Sequence, residues 1–410
     1  MKIARSLLNA LAPGLVLALL VVLAPSSRVI AQNSMANGAA PSAQVQEFTL
    51  TGSDKDVVAT TKSGSLARVS GTFTEFALPK GTTPQLLTTA ADGTVYYAMG
   101  GANKIGRVTS SFGNTLSLKQ FNVPSANSFP VGIVVAADGT VWFAEQNAHQ
   151  IGHLDPKSGT ITEFKTPTVN SGPVGITVGP DGAIWFTEAF ANKIGRLDPQ
   201  NPDAIEEFSI PTAVSAPIYI TNGGDGGLWY IGVRGHQLGR IDANTRTFVE
   251  YPTPTPKGGP TSVILGPDGA LWVSELNVDK IARFDLTSRK FTDDIPVNSG
   301  KNGPRSAPGI LVNGPDGNIW FTQMLGNQIG RLNPTTREIF EFSVPTSLST
   351  SMVSGAGDTA EQALLEAQAA LGSTQQLGPT SGPGGIAFSS DGTLWYTAMF
   401  AHQVSRVRVR

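Results

Sequence analysis

The feature that most constrains this chain is a phrase that it repeats. Residues 180–198 read PDGAIWFTEAFANKIGRLD, and close variants are found at residues 137–155 (ADGTVWFAEQNAHQIGHLD) and 267–285 (PDGALWVSELNVDKIARFD). Successive copies are 43 to 48 residues apart except the last, which follows after 75. The Asp of an Asp-Gly pair marks each of seven copies: Asp92, Asp138, Asp181, Asp225, Asp268, Asp316 and Asp391. A period in this range predicts a repeat architecture.

Each copy has the pattern of a small antiparallel sheet. Asp-Gly favours a hairpin turn, because both residues tolerate positive φ. In the copy that begins at Pro180, the alternating apolar run 184–187 and the segment 193–198 read as two strands. The Glu-Phe element at 206–210 supplies a third strand, and the run after the next Pro, as at 173–178, supplies a fourth. Four short strands per unit predict the blade of an all-β propeller and not a helical repeat.

Bulky rings and small residues recur at fixed positions of the repeat. A large ring predicts packing between adjacent sheets, and Tyr96 takes this position in the first copy. The next strand carries Gly in five copies and Ala282 or Ser405 in the others, which we interpret as close packing of neighbouring backbones. The tryptophans all occupy the ring position and are the predicted blade core: Trp142, Trp185, Trp229, Trp272, Trp320 and Trp395.

Seven copies predict a single seven-bladed β-propeller domain of four-stranded antiparallel blades over residues 44–410. The last copy ends before its outer strand, so an amino-terminal strand is expected to close the ring, either 45–50 or 72–78. Residues 56–79 resemble a further copy that lacks the Asp-Gly turn and the Trp, which leaves eight blades as the alternative. Between the last two copies, residues 346–379 combine a capping pattern with apolar residues at helical spacing and predict a helical insertion.

The amino-terminal residues are of a different kind. Two basic residues precede an apolar run at 7–23, and small residues precede Gln32, so residues 1–31 are predicted to be a secretory signal peptide. An uncleaved membrane anchor is the alternative. Residues 32–43 read as a flexible leader. We therefore expect an exported protein, periplasmic or secreted, with no membrane span in its mature chain.

The amino-acid composition limits the kinds of molecule that this protein is expected to bind. Charged residues make up 15% of the chain and the net charge is −2, which argues against electrostatic capture of nucleic acid. The chain has no Cys, so disulfides are excluded. The remaining expectation is a monomer that binds a small molecule or a protein at one propeller face.

The repeated phrase, with the later elements EF-x-x-P-T and GP-x-GI, resembles the streptogramin B lyase (virginiamycin B lyase) family over roughly residues 80–410. That resemblance implies a seven-bladed propeller that opens cyclic depsipeptide antibiotics by carbon–oxygen elimination, with Mg²⁺ as cofactor. The family places a His after the Pro that opens the innermost strand of its last two blades. It also places one Glu before that Pro in the final blade and another beyond the aromatic strand.

This sequence lacks those groups at the matching positions. No His follows the opening Pro, where the residues are Gln85, Val131, Val174, Ile218, Thr261, Gly309 and Gly384. No acidic residue precedes it, where the residues are Thr83, Phe129, Gly172, Ala216, Gly259, Ala307 and Gly382. Residues 397–400, after the last aromatic strand, contain no carboxylate. Elimination needs a base and a cation, so the sequence predicts loss of the family's standard mechanism.

Other ionisable residues recur in several copies. Three His share the position of the Asn in "N-K-I-G", and a fourth replaces the repeat's Arg; we interpret them as loop residues and not as a metal cluster: His149, His236, His402 and His153. Three carboxylates share another position, where a further copy has Gln323: Glu145, Glu188 and Glu275. We interpret these as paired within their blades with downstream arginines, namely Arg196, Arg283 and Arg331. A metal or acid–base role for the three Glu is the alternative.

Three functions remain open at this stage. The first is a binding propeller that lacks the family's catalytic groups. The second is a carbon–oxygen lyase of the virginiamycin B lyase type, dependent on Mg²⁺, with a rearranged site. The third is a metal-dependent, lactonase-like propeller, which needs several carboxylates or amides converging on the axis.

Overall fold

The structure is a computed structural model that describes residues 45–61, 66–79, 81–112, 114–297, 306–346 and 381–409. These residues form thirty β-strands and a single turn of 3-10 helix, Leu276–Val278. Seven antiparallel blades contact one another through their innermost strands, and the last contacts the first, so the blades form a closed ring. The prediction of a seven-bladed propeller is confirmed, and the eight-blade alternative is wrong.

The strands of each blade follow one another from the hub outwards. The amino-terminal strands are β1 (Val45–Thr51), β2 (Ser53–Thr61) and β3 (Leu66–Ala77). The first blade contains β4 (Pro84–Thr89), β5 (Val95–Met99), β6 (Lys104–Phe112) and β7 (Thr115–Asn122). The second contains β8 (Pro130–Val135), β9 (Val141–Glu145), β10 (Gln150–Leu154) and β11 (Ile161–Lys165). The third contains β12 (Pro173–Val178), β13 (Ile184–Glu188), β14 (Lys193–Asp198) and β15 (Asn201–Ser209).

The later blades follow the same order. The fourth contains β16 (Pro217–Asn222), β17 (Gly227–Gly232), β18 (Gln237–Asp242) and β19 (Phe248–Pro252). The fifth contains β20 (Pro260–Leu265), β21 (Leu271–Glu275), β22 (Lys280–Asp285) and β23 (Lys290–Pro296). The sixth contains β24 (Pro308–Asn313), β25 (Ile319–Gln323), β26 (Gln328–Leu332) and β27 (Ile339–Ser343). The seventh contains β28 (Pro383–Phe388), β29 (Leu394–Ala398) and β30 (Gln403–Val409), completed by β3.

Ring closure uses the amino-terminal strands in three ways. Strand β3 pairs with β30 from Gly71↔Val409 to Ala77↔Gln403 and becomes the outer strand of the seventh blade. Of the two predicted closing strands, the 72–78 segment is therefore the correct one. Strand β1 instead adds a fifth strand to the first blade by pairing with β7. Strand β2 joins β3 to β27 of the sixth blade. Pairing of β3 also covers the edge that β30 would otherwise expose.

The tryptophans pack between blades, as predicted. Each is at most 3% exposed. Trp185 of the third blade packs with Leu228 and Tyr230 of the fourth, and Trp395 of the seventh packs with Val95 and other residues of the first. A large apolar ring at every junction buries area between neighbouring sheets and stabilises the closed ring.

An arginine of the following blade covers several of these rings. The guanidinium of Arg246 lies 5.1 Å from the ring centroid of Trp185. Arg289 covers Trp229 at 5.4 Å, and Arg337 covers Trp272 at 5.3 Å. Each is a cation–π contact between blades that the sequence reading did not anticipate.

The third strand of each blade carries a small residue for a reason different from the one that the sequence predicted. Gly195 lies opposite Phe186 in the β13–β14 pair, and a Cβ at Gly195 would overlap the Phe186 ring. The same overlap recurs at Gly106, Gly152, Gly239 and Gly330. In the fifth blade the cross-strand partner of Ala282 is Val273, which has no ring. The glycine therefore makes room for an aromatic ring within its own blade, and the interpretation as close approach of neighbouring backbones is wrong.

Three predicted segments lie in parts of the chain that the structure does not describe. The predicted helical insertion at 346–379 lies outside the described residues apart from Thr346, and so do the signal peptide and the flexible leader. Among the described residues, no helix is long and apolar enough to cross a membrane.

Candidate functional site

The seven innermost strands surround an axis, and a pocket opens at one end of it. We call this the mouth end; it is where each innermost strand begins with Pro and where each second strand ends. The Asp-Gly turns lie at the opposite end, the turn end. The pocket has an empty volume of about 580 Å³ including its open side. Its lining residues are Gln85, Leu86, Val174, Ile218, Tyr219, Thr261, Leu276, Gly309, Ile310, Met324, Gly384, Gly385 and Met399.

Two sequence positions supply most of this lining. Residues that directly follow the opening Pro include Gln85, Thr261 and Gly384. Residues that directly follow the second strand, such as Met324 and Met399, form the wall around them. These are the positions at which the family resemblance implies catalytic His and Glu. The closed ring brings the same repeat positions together from several blades, which makes the mouth end the candidate site.

The backbone at the mouth end has a special conformation. The residue before the opening Pro has positive φ in all seven blades, including the non-glycine residues Phe129 (54°), Ala216 (51°) and Ala307 (51°). Proline normally keeps its predecessor in the extended region, so these conformations are strained. Just beyond the Pro, each pair of first and second strands shifts register in an irregularity of the bulge type, as between Pro173 and Ile176.

Side chains of the second strand hold this irregular segment. The hydroxyl of Thr187 accepts a hydrogen bond from the backbone N–H of Gly175 at 2.9 Å. Thr397 does the same for Gly385 and also donates to the carbonyl of Gln85 in the first blade. A Cβ at Gly385 would approach the backbone of Gln85 and Leu86. Glycine at this position therefore lets neighbouring innermost strands approach each other at the hub.

The chemistry of the pocket is apolar and neutral. Two glycines, Gly309 and Gly384, stand where the resemblance would place the catalytic His, and they leave space in place of a base. Leu276, Met324 and Met399 provide a flexible apolar wall. Of the described lining residues, none is Asp, Glu, His, Lys or Arg. Gln85 and Thr261 are the polar side chains beside this wall, and the hydroxyl of Thr261 lies 2.8 Å from that of Ser274.

The three candidate glutamates do not line the pocket. Glu145, Glu188 and Glu275 are each 0% exposed and lie in different blades, so the structure does not bring them together. Each ends the second strand of its blade, at the mouth end, and faces the outer strand of the same blade. Burial, followed by the neighbouring carboxylate Glu163, raises the pKa of Glu145 to about 8. Burial and Glu207 raise the pKa of Glu188 to about 8 in the same way.

The predicted pairing of these glutamates with downstream arginines is wrong. Arg196 Nε donates to Asp181 Oδ2 at 2.7 Å, and the same bond joins Arg283 to Asp268. In the sixth blade it joins Arg331 to Asp316 at 2.9 Å. These arginines lie on the third strand near the turn end, because the antiparallel register places them opposite the tryptophans. The arginines therefore belong to the Asp-Gly turns and not to the mouth end.

Outer-strand carboxylates link neighbouring blades at the mouth end. Glu163 of the second blade accepts hydrogen bonds from the backbone N–H and the hydroxyl of Ser125, in the segment that leaves the first blade. Glu75 of β3 accepts the corresponding pair from Thr346 at 2.9 and 2.6 Å, across the closure of the ring. Similar contacts join Thr168 to Glu207, Thr212 to Glu250 and Thr255 to Asp294. The "EF-x-x-P-T" element predicted a strand, and these links between blades were not predicted from it.

Three of the four histidines lie in turns, as predicted, but the loop interpretation is wrong for His153, which lies within β10. His149, His236 and His402 occupy a left-handed turn position with φ of 58°, 48° and 50°. In other blades this position is Asn, as at Asn192, whose amide donates to the carbonyls of Ile210 and Thr212. His153 is the cross-strand partner of Trp142, with ring centroids 4.3 Å apart and ring planes tilted by 31°. They form no cluster around a metal.

A magnesium site is the other requirement of the family's reaction. Among the described residues there is no group of three His, Asp or Glu side chains that could hold a metal ion. The pocket lining offers no carboxylate, which is the ligand that Mg²⁺ prefers. The residues that the structure describes therefore do not fit a magnesium site of the family's kind.

The fold and its pocket define the class of this protein as a seven-bladed β-propeller with an apolar site at one end of its axis. A family model described as the virginiamycin B lyase family matches residues 27–169, 117–301, 170–365 and 244–410. These matches together cover nearly the whole chain. The chain belongs to the virginiamycin B lyase family.

Solved structures agree with this assignment. A streptogramin B lyase structure is 30% identical, covers 83% of this chain and 98% of its own, and superposes with a TM-score of 0.68. A catalytically inactive His-to-Ala variant of virginiamycin B lyase from Staphylococcus aureus, with quinupristin, is 28% identical over 82% of this chain and 99% of its own, with a TM-score of 0.68. Kuenenia stuttgartiensis hydrazine synthase is 15% identical over 81% of this chain and 97% of its own, with a TM-score of 0.58, and shares the fold alone. No curated protein matches the chain significantly.

Proposed function

We propose that this protein is a binding propeller that takes a neutral, mainly apolar ligand into the pocket at its mouth end. The observation that carries the proposal is the lining itself. At the positions where the resemblance implies the family's His and metal-binding Glu, the hub presents Gly309, Gly384 and Met399, with Met324 beside them. Such a lining favours burial of an apolar group, with Gln85 and Thr261 available to orient it.

A lyase activity is the second candidate, and membership of the family favours it. Elimination requires a base positioned beside the proton that leaves and an electrophile for the developing negative charge. The described pocket lining supplies neither. A lyase would therefore need groups outside the described residues or a site elsewhere on the ring. The lactonase-like alternative needs converging carboxylates, which the described hub does not provide.

Reaction with a streptogramin B antibiotic separates the two candidates. Purified protein is incubated with quinupristin and Mg²⁺, and the antibiotic is then analysed by mass spectrometry and chromatography. We expect unchanged antibiotic. A linear product of unchanged mass would overturn the proposal in favour of the lyase, because elimination conserves mass whereas hydrolysis adds water.

Binding is measured on the same protein by calorimetric titration with quinupristin. A Cβ at Gly384 would contact Met399 at 3.2 Å, so Gly384→Leu fills the pocket without a positive-φ conflict. We expect this variant to lower affinity by about tenfold or more, since it removes the apolar contact volume. The matched control is Ala137→Leu, which adds the same bulk at an exposed position of the turn end. Equal affinity of the two variants would place the ligand elsewhere.

The cellular context is part of the proposal. The apolar run at 7–23, between basic and small residues, supports export through a signal peptide, and residues 32–410 then form the mature protein. Amino-terminal sequencing of protein from the producing cells tests the cleavage site. We also propose that the mature chain is a monomer, which sedimentation measurements test.

A further inference from the structure

Three blades carry a pair of neighbouring carboxyl groups at the mouth end, the inner one buried and the outer one partly buried. Glu145 on β9 and Glu163 on β11 are hydrogen-bonding neighbours in the second blade. Glu188 and Glu207 have the same relation in the third blade. In the fifth blade Asp294 acts on Glu275 through its charge. The inner member of each pair is completely buried. Two ionised carboxylates in contact in a buried site repel each other and are poorly solvated.

The sixth blade shows how the same site is occupied without a second ionisable group. Gln323 takes the position of the inner Glu, and its Nε2 donates to Glu341 Oε1 at 2.9 Å. Its Oε1 accepts a hydrogen bond from Ser306 at 2.6 Å. The inner residue therefore acts as a donor towards the outer carboxylate. A glutamate can make this bond only as the neutral acid.

The surroundings of the inner glutamates support the same assignment. Neither carboxyl oxygen of Glu188 has a hydrogen-bond donor, because Lys193 donates to Glu207 and to Thr168. Around Glu145 the neighbours other than Glu163 are neutral: Gln150 donates to one oxygen at 3.4 Å, and Ser128 lies on the other side. Glu275 faces Thr253, Lys280 and Asp294. In the second and third blades the outer carboxylate thus offers the inner glutamate an acceptor that only a protonated carboxyl can use. In the fifth blade Asp294 acts on Glu275 through its charge alone.

We propose that Glu145, Glu188 and Glu275 are protonated in the folded protein, which makes the propeller a proton-stabilised ring. Glu145 and Glu188 share their protons with the outer carboxylates Glu163 and Glu207. The outer carboxylates at the same time bind Ser125, Thr168 and Thr255 of the preceding blade. When the proton is lost, the two carboxylates of a pair repel each other at the contacts that join one blade to the next. The ring is expected to be most stable in mildly acidic solution and to loosen as the pH rises through neutrality.

The sign of the pH effect follows from proton binding. Burial and the nearby carboxylate raise the pKa of Glu145 to about 8, above the ordinary value of 4.5. The unfolded chain releases this proton at lower pH than the folded protein does. Stability is then fully present below the ordinary value and is lost progressively until the pH reaches the folded value. Burial and Asp294 raise the pKa of Glu275 to about 7, so its contribution is lost over a narrower window.

The test uses reciprocal variants of the full protein. Thermal unfolding is followed between about pH 5 and pH 8 for the wild type, Glu145→Gln, Glu188→Gln and Gln323→Glu. We expect the melting temperature of the wild type to fall as the pH rises and each Glu→Gln variant to flatten that fall. Gln323→Glu should steepen it, because it installs a fourth pair against Glu341. Glu338→Gln, at an exposed position, is the matched control and should leave the slope unchanged.

A second measurement reports on the proton directly. The infrared carbonyl band of a protonated carboxylic acid should be present in the folded wild type at neutral pH and should weaken in Glu145→Gln. A wild type whose melting temperature is flat over this range would overturn the proposal. So would Glu→Gln variants with unchanged slope or a Gln323→Glu variant with no added dependence. If a Glu→Gln variant does not fold, the infrared band and the Gln323→Glu variant still decide the matter.

Discussion

The acidic groups at the two ends of one strand have pKa values that are shifted in opposite directions. At the turn end of the third blade, Asp181 accepts hydrogen bonds from Trp185 Nε1 at 2.9 Å and from Arg196 Nε at 2.7 Å. Burial opposes ionisation there, but these donors outweigh it and lower the pKa of Asp181. At the mouth end, Glu188 has no such donor, and burial raises its pKa. Burial alone does not set the charge; the available donors do.

The largest expected effect tests the packing at the turn end. Trp272→Ala removes a fully buried ring from the junction between the fifth and sixth blades. We expect the free energy of unfolding to fall by about 3–5 kcal/mol in urea titrations. Val169→Ala, at a side chain 82% exposed, is the control and should change it by less than about 0.5 kcal/mol. Equal effects of the two variants would contradict packing between blades.

The next variant changes the middle of the third blade, between its turn end and its mouth end, and tests the packing of Gly195 against Phe186. Gly195→Ala drives a methyl group into the Phe186 ring and should cost about 1–3 kcal/mol of unfolding free energy. Adding Phe186→Val recreates the Val273 and Ala282 combination of the fifth blade. The double variant should recover part of the loss in the same titration. A double variant with the summed cost of both single changes would refute the steric explanation.

The contrast between the ends predicts opposite pH effects. Asp268→Asn keeps the acceptor for Trp272 but removes the ion pair with Arg283. At neutral pH it should cost about 1–2 kcal/mol in chemical denaturation. Hydrogen bonds from Trp272 and Arg283 outweigh burial and lower the pKa of Asp268, so this stabilisation exists above the ordinary value of 3.8 and is lost as the pH falls through the folded value.

The control for that experiment is Asp203→Asn at an exposed position. The difference between Asp268→Asn and wild type should shrink in acid, whereas the effect of Glu145→Gln should grow in base. A cost of Asp268→Asn that stays constant down to strongly acidic pH would break the comparison between the two ends.

The smallest expected effect concerns the turn that follows the second strand. His149 has φ of 58°, a conformation that Asn tolerates well. At the same position of the third blade, the amide of Asn192 donates to two backbone carbonyls and accepts from the N–H of Ser215 at 2.7 Å. His149→Asn should therefore raise the free energy of unfolding by about 0.5–1 kcal/mol. The reciprocal Asn192→His should lower it, and a gain in both would contradict this explanation.

Much of the fold could be read from the repeat, because a propeller blade is a local unit. The Asp-Gly turns, the strands and the interblade position of Trp185 follow from residues that are near one another in the chain. The reason for Gly195 could not be found in the same way. Its contact with Phe186 depends on the register between two strands, and the sequence permits more than one register.

The sequence predicted which positions belong to the candidate site, but it did not predict which side chains contact each other there. The sequence identified that Gly309 and Gly384 replace the family's catalytic His, and it identified Glu145, Glu188 and Glu275 as a recurring set. It assigned the wrong partners to these glutamates, because their true neighbours lie on the outer strand of the blade and the arginines point to the other end. The links from Glu75 to Thr346 span 271 residues and have no local signal.

The sequence by itself determined the blade architecture, the residues that build each blade and the absence of the family's catalytic residues at the matching positions. These properties can be read from a repeat because every copy has to satisfy the same local packing. The tertiary structure alone decided that the blades number seven and not eight, which amino-terminal strand closes the ring, in which direction each buried acid's pKa shifts and which residues meet at the hub. Those properties depend on burial and on contacts between distant blades, and they exist only once the ring has closed.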